Sequence, residues 1–117
     1  MKILNLSNIT SIGDFVTQWI KACNLDQLKE GQLLGFNHDD KKILIANQKG
    51  VFHATDLICT HAEADLSTGF LNDEGVRCPL HLSVFNLENG EPQNPPAESP
   101  LKVYNIKIEH NEIYVEV

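Results

Sequence analysis

The chain has 117 residues, 42% of them hydrophobic and 21% charged, which is one domain's worth of sequence with the composition of a folding protein rather than a disordered tail. Sixteen acidic residues against nine basic ones give a formal charge of −7, so a nucleic-acid backbone would meet net repulsion. The longest apolar runs, such as Ile43-Leu44-Ile45-Ala46, are strand-sized and fall far short of the ~20 residues that span a bilayer.

At the N-terminus Asn5, Ser7 and Asn8 interrupt the apolar residues, so a continuous leader core is missing and a cytoplasmic protein without membrane contact is expected. Ile9, Ile12, Phe15 and Val16 fall at loosely helical spacing within Asn5 to Gln18, with Ser11 as a candidate N-cap. Trp19 to Cys23 reads as a strand, and Leu25 to Gly31 as a turn of helix closed by glycine. Lys42 to Ala46 and Val51 to Thr55 flank Asn47-Gln48-Lys49-Gly50, four turn-compatible residues, which predicts a hairpin. Pro92 to Pro100 reads as a shaped loop, and the chain shows no internal repeat. Val103, Ile106 and Ile108 then precede the polar turn His110-Asn111. Beyond it Ile113, Val115 and Val117 alternate with Glu112, Tyr114 and Glu116, the period of a half-buried strand. Short strands with little helix predict an all-β fold, an antiparallel sandwich or small barrel.

Between the two hairpins stand Cys59-Thr60-His61 and, after sixteen intervening residues, Cys78-Pro79-Leu80-His81. The chain's three cysteines are an odd number, and without a secretion leader they point to metal or redox chemistry rather than to disulfides. A thiolate and an imidazole one or three positions apart on a tight loop can face one centre. Two such loops supply two sulfurs and two nitrogens, enough for tetrahedral zinc or for an iron–sulfur cluster. Structural zinc sites usually pair like ligands within a loop. Here each loop carries one of each type, which favours a cluster in which one iron takes both Cys and the other both His. Cys23, His38, His53 and His110 lack such partners and read as ordinary structural residues. The sequence holds no two-His-one-carboxylate iron motif, no G-x-G-x-x-G loop and no nucleophile–base pair outside this quartet, so a second catalytic centre is not expected.

The pattern C-x-H, sixteen residues, C-P-L-H resembles the Rieske iron–sulfur proteins, and specifically the small soluble Rieske-type ferredoxins. The flanks share the likeness: Ala54-Thr55-Asp56, Leu66-Ser67-Thr68-Gly69, Phe85 with Asn89-Gly90, and Pro95 to Tyr104, together with Trp19 to Cys23 and Leu25 to Gly31. The resemblance implies a Rieske fold, an antiparallel β-sandwich base carrying a small cluster-binding subdomain at about residues 57–91 within a single domain of residues 18–117. Residues 1–17 then form an N-terminal extension. It also implies one 2Fe–2S cluster per chain, with Cys59 and Cys78 on the inner iron, His61 and His81 on the outer iron, and the Pro95-Pro96 loop covering one side.

Three departures from the family pattern stand out. The extra cysteine that respiratory-chain members carry in each loop is absent, because Ala62, Glu63 and Ala64 follow His61 and Leu80 fills the second loop. High-potential members place a Ser two residues and a Tyr four residues after the last His; here Ser83 keeps the first hydroxyl while Phe85 lacks the second. Hydrogen bonds to cluster sulfur raise the potential, so a value low in the Rieske range of about −150 to +300 mV is expected. Leu82, where many members have Gly, puts an apolar residue beside His81, as a docking face would use.

The role implied is that of a one-electron shuttle, not an enzyme, taking electrons from a flavin-dependent NAD(P)H reductase to a terminal oxygenase that acts on aromatic or other apolar substrates. Glu63, Asp65, Asp73 and Glu74 form an acidic set able either to solvate the surface or to steer a basic partner. Reduction is expected to raise the pKa of solvent-reaching His ligands, so the potential should fall with rising pH where the oxidised form has lost the proton. The alternatives are the small subunit of an assimilatory nitrite reductase, the Rieske component of a diiron hydrocarbon monooxygenase, and a zinc-stabilised binding module. Many nitrite reductase subunits lack the ligand quartet, which counts against the first.

Overall fold

The run Ile43-Leu44-Ile45-Ala46 is fully buried along its whole length, which an amphipathic strand with one wet face cannot achieve. The structure, a computed structural model, describes residues 18–60, 63–80, 83–94, 97 and 99–117, and in it this run forms part of strand β3 (Lys41–Gln48), packed on both faces. β3 lies in a four-stranded sheet between β2 (Leu33–His38) and β4 (Val51–Asp56), with β8 (Val103–Tyr104) beyond β4. A second sheet has the order β1 (Trp19–Asn24), β10 (Glu112–Glu116), β9 (Ile106–Glu109). A third, smaller sheet comprises β5 (Phe70–Asn72), β6 (Gly75–Arg77) and β7 (Val84–Phe85). Every pairing between these strands is antiparallel.

Alternation along β3 deals its side chains to two cores. Ile43 and Ile45 meet Ala54, Tyr104, Ile113 and Val115, closing a core between the two larger sheets. Leu44 and Ala46 point the other way into a second core built with Leu57, Leu66, Val76 and Phe85, which also contains Cys59 and Cys78. The period-two reading of the C-terminal strand holds, with Ile113 and Val115 fully buried.

The β3–β4 hairpin is tighter than its sequence implied. The ladder continues to the Gln48↔Val51 pair, leaving only Lys49 and Gly50 in the turn, both at positive φ (54° and 89°) as a type I′ turn requires. His110 and Asn111 take the same conformation (52° and 62°) between β9 and β10. The helical turn expected over Leu25 to Gly31 shrinks to a 3-10 segment, Leu25–Gln27, opened by a capping box in which Asn24 N–H donates to Gln27 Oε1. Strand β2 had no clear signal in the sequence because Gly35 interrupts its apolar run. A Cβ there would meet the Leu57 side chain at 3.0 Å, so the glycine lets Leu57 pack directly against the strand. Of the helical stretch expected from Asn5 to Gln18, only Gln18 is described, and it is not helical, exchanging backbone hydrogen bonds with Val117. Among the described residues, no helix is long and apolar enough to cross a membrane.

Leu44→Ala and Ile45→Ala, one in each core, are each expected to lower the unfolding free energy by roughly 2–5 kcal/mol. Val51→Ala, at the exposed hairpin end, is expected to change it by less than about 0.5 kcal/mol. Urea denaturation of the three variants checks this, and a mild effect at Leu44 or Ile45 would show that the face concerned is not packed as described.

Candidate metal centre

Cys59 and Cys78 each open a loop pinched shut by its own backbone. In the first, Leu66 N–H donates to Leu57 O and Cys59 N–H to Ala64 O, both at 2.9 Å, with Ile58 and Asp65 bridged between them. In the second, the β6–β7 ladder (Val76↔Phe85, Arg77↔Val84) ends in a 2.8 Å bond from Cys78 N–H to Ser83 O. Both closures run from the cysteine to the residue five positions on, and the sequence of each six-residue stretch includes one histidine. Cys59 and Cys78 are buried in the same core and neither is in a disulfide.

The segment after β7 ties the two loops together. Phe85 bridges to Pro92, Gln93 N–H donates to Val84 O at 2.7 Å, and Asn94 Oδ1 accepts from Val84 N–H at 2.8 Å. Farther along, Ala97 N–H donates to Ser83 Oγ at 3.1 Å on the second loop, and Thr60 Oγ1 donates to Ser99 O at 2.7 Å from the first. Described residues of the proline-rich stretch, Asn94, Ala97 and Ser99, therefore tie it by hydrogen bonds to the ends of both loops.

The stem of the first loop is anchored to the sandwich. Tyr104 on β8 donates its hydroxyl to Asp56 Oδ1 at 2.6 Å, Asp56 N–H donates to Lys102 O, and Leu57 N–H to Lys42 O. Burial raises the Tyr104 pKa far above the ordinary phenol value, and the Asp56 carboxylate reinforces it, so the hydroxyl stays a donor. These anchors carried no motif, and only the juxtaposition of β4 with β8 reveals them.

Of the residues singled out from the sequence, the structure brings Cys59, Cys78 and Ser83 into one buried region, with Phe85 behind them. His61, His81, Leu82 and the Pro95-Pro96 pair lie outside the described residues, as do residues 1–17. Cys23 belongs to the other core, where burial pushes its thiol pKa up, and burial pushes His53 down toward a neutral imidazole. His38 Nε2 contacts the Gln18 amide at 3.2 Å, and His110 sits in the β9–β10 turn. The acidic set divides. Asp65 caps the 3-10 turn Leu66–Thr68 through Ser67 N–H, and Asp73 pairs with Lys49 at 2.9 Å, while Glu63 and Glu74 are exposed.

The donor chemistry fits an iron–sulfur cluster. Two thiols are held dry in one core at the heads of matching loops whose remaining ligand candidates are imidazoles. The Ser83 hydroxyl is fully buried and accepts from Ala97, yet among the described residues nothing accepts its own proton, which an inorganic sulfide could do.

Comparison with known proteins agrees with this chemistry. The family model described as "Rieske [2Fe-2S] domain" matches residues 18–105. The chain is 41% identical over 97 residues to the biphenyl dioxygenase ferredoxin subunit of Pseudomonas sp. (strain KKS102), covering 82% of this chain and 89% of that protein. Among solved structures, it resembles a chain from the complex of reduced oxygenase and oxidized ferredoxin in carbazole 1,9a-dioxygenase, with a TM-score of 0.79 and 31% identity over 83% of this chain and 91% of that one. A structure named for an NADH-dependent nitrite reductase small subunit from Mycobacterium tuberculosis gives a TM-score of 0.78 at 24% identity, over 87% of this chain and 96% of that one, a likeness of fold alone.

Replacing Ser83 by Ala removes a buried hydroxyl and leaves the Ala97 N–H without its acceptor. The midpoint potential of the loaded protein is expected to fall, as voltammetry would read, and an unchanged potential would exclude the hydroxyl from tuning.

Proposed function

The chain belongs to the Rieske 2Fe–2S domain family, and we propose on that footing that it is a one-electron carrier between an NAD(P)H-dependent flavin reductase and a terminal oxygenase acting on aromatic or other apolar substrates. It is not itself an enzyme. Its cofactor is a Rieske 2Fe–2S cluster, which when bound accepts and returns a single electron. The observation that carries the reading is the pair of matching backbone-closed loops, each opening on a buried cysteine of one core.

Cys59 and Cys78 would hold the inner iron, and His61 and His81 the outer one. The chain's own work is to keep this ligand set spaced and partly dry. The two Cys N–H closures fix each loop's width, the Ala97 and Ser99 contacts link the two loops, and the Tyr104–Asp56 bond fixes the first loop to the base. We assign cluster binding to about residues 57–91 within one domain, 18–117, and treat residues 1–17 as an extension. Residues 57–91 hold six carboxylates against one arginine, a net −5 of the chain's −7. This concentration favours weak, fast encounters with a partner that is basic around its redox centre. The oxygenase reading draws on the relative that is a biphenyl dioxygenase ferredoxin subunit and on the similar chain solved with its oxygenase. The working compartment is the cytoplasm, where a flavin reductase finds NAD(P)H.

Reconstitution with the reductase and oxygenase of a biphenyl dioxygenase system tests the role. NADH-driven substrate oxidation is expected to require this protein, with a second-order transfer rate that falls as ionic strength rises. No support of turnover would contradict the carrier role in such a system, and a salt-independent rate would contradict electrostatic steering.

A further inference from the structure

Three of this acidic chain's nine cations form ion pairs among the described residues. Lys21 pairs with Glu112 at 2.8 Å, Lys49 with Asp73 at 2.9 Å, and Lys107 with Glu109 at 3.7 Å while also lying over the Trp19 ring. Lys29, Lys41, Lys42 and Lys102 form no such pair, and the last three lie together. Among the described residues none of them has a carboxylate within ion-pair distance, and Lys102 only overlies the Tyr104 ring at 5.0 Å. All three line one concavity of about 460 Å³, with Ile58 and Tyr104 beside them.

Two aspartates share that concavity. Asp56 already accepts the Tyr104 hydroxyl, and Asp40 lies in the β2–β3 turn, so the lining keeps a net positive charge on a chain of net −7. The lysines are also tied mechanically to the redox loop. Lys42 O and Lys102 O accept from Leu57 N–H and Asp56 N–H, the stem that leads to Cys59, so anything seated here lies at the root of the first Cys/His loop.

From this placement we infer that the Lys41/Lys42/Lys102 concavity is a docking site for an acidic surface segment of one of the two redox partners. The inference rests on the electron-carrier reading for the identity of that partner. A carrier with one cluster must meet donor and acceptor in turn. The acidic face of residues 57–91 suits a basic partner, whereas this concavity suits an acidic one, so charge can sort the two encounters.

The probe is a fluorescein-labelled deca-glutamate peptide, with binding to the cluster-loaded protein followed by anisotropy at low ionic strength. Saturable binding is expected. Lys42→Glu is expected to weaken it by about fivefold or more, Lys42→Gln by less, and Lys29→Glu, with the same change in net charge as Lys42→Glu, by less than about twofold. Absent saturation, or equal losses from Lys42→Glu and Lys29→Glu, would overturn the proposal. In the reconstituted system the unlabelled peptide is expected to slow exchange with one partner only; slowing both or neither would also overturn it. Peptide binding needs no electron, so a chain that transfers electrons but ignores the peptide refutes the docking site alone. A chain that binds the peptide but carries no electron refutes the carrier reading.

Discussion

Strand β3 is packed on both faces, and the placement of both cores follows from that. Because successive side chains of a strand point to opposite sides, Ile43 and Ile45 hold the sandwich while Leu44 and Ala46 hold the core that contains Cys59 and Cys78. The redox region is therefore seated on the reverse side of the strand that stabilises the base. A one-residue slip of β3 against β2 or β4 would exchange the two sets and misplace both cores at once.

On that footing the ligand loops are positioned by backbone rather than by metal alone. Each is closed by a hydrogen bond from its cysteine N–H, and side-chain and backbone bonds of the proline-rich stretch link the two. Side-chain hydrogen bonds then adjust what the backbone has set. Tyr104 steadies the stem through Asp56, and Ser83 presents a buried hydroxyl where Phe85 presents none. Holding the cysteines dry while the charge of the chain is concentrated in the same residues separates two tasks, retaining the cofactor and choosing partners.

Much of this was legible in the residues. The C-x-H and C-P-L-H pairs pointed to the candidate site because such chemistry depends on spacing within a few residues, and the alternation of Ile113 and Val115 with polar neighbours announced the last strand. What escaped depends on distant contacts. Gly35 reads as a strand breaker until Leu57 is found against it, and Tyr104 looks like any strand aromatic until β8 sets it beside Asp56. The proline-rich stretch suggested a loop, but its anchoring by Asn94, Ala97 and Ser99 could not be seen from composition. Lys41, Lys42 and Lys102 were unremarkable in sequence because sixty residues of chain separate the last of them from the others.

The central claim is that Cys59, His61, Cys78 and His81 hold a mixed-ligand 2Fe–2S cluster. The most direct measurement is iron and zinc content determined on the same sample as its optical and EPR spectra, oxidised and then dithionite-reduced. The account predicts about two irons per chain, little zinc, and an EPR signal that appears on reduction. One zinc per chain with a silent spectrum would reduce the quartet to a structural staple and contradict the electron-transfer role.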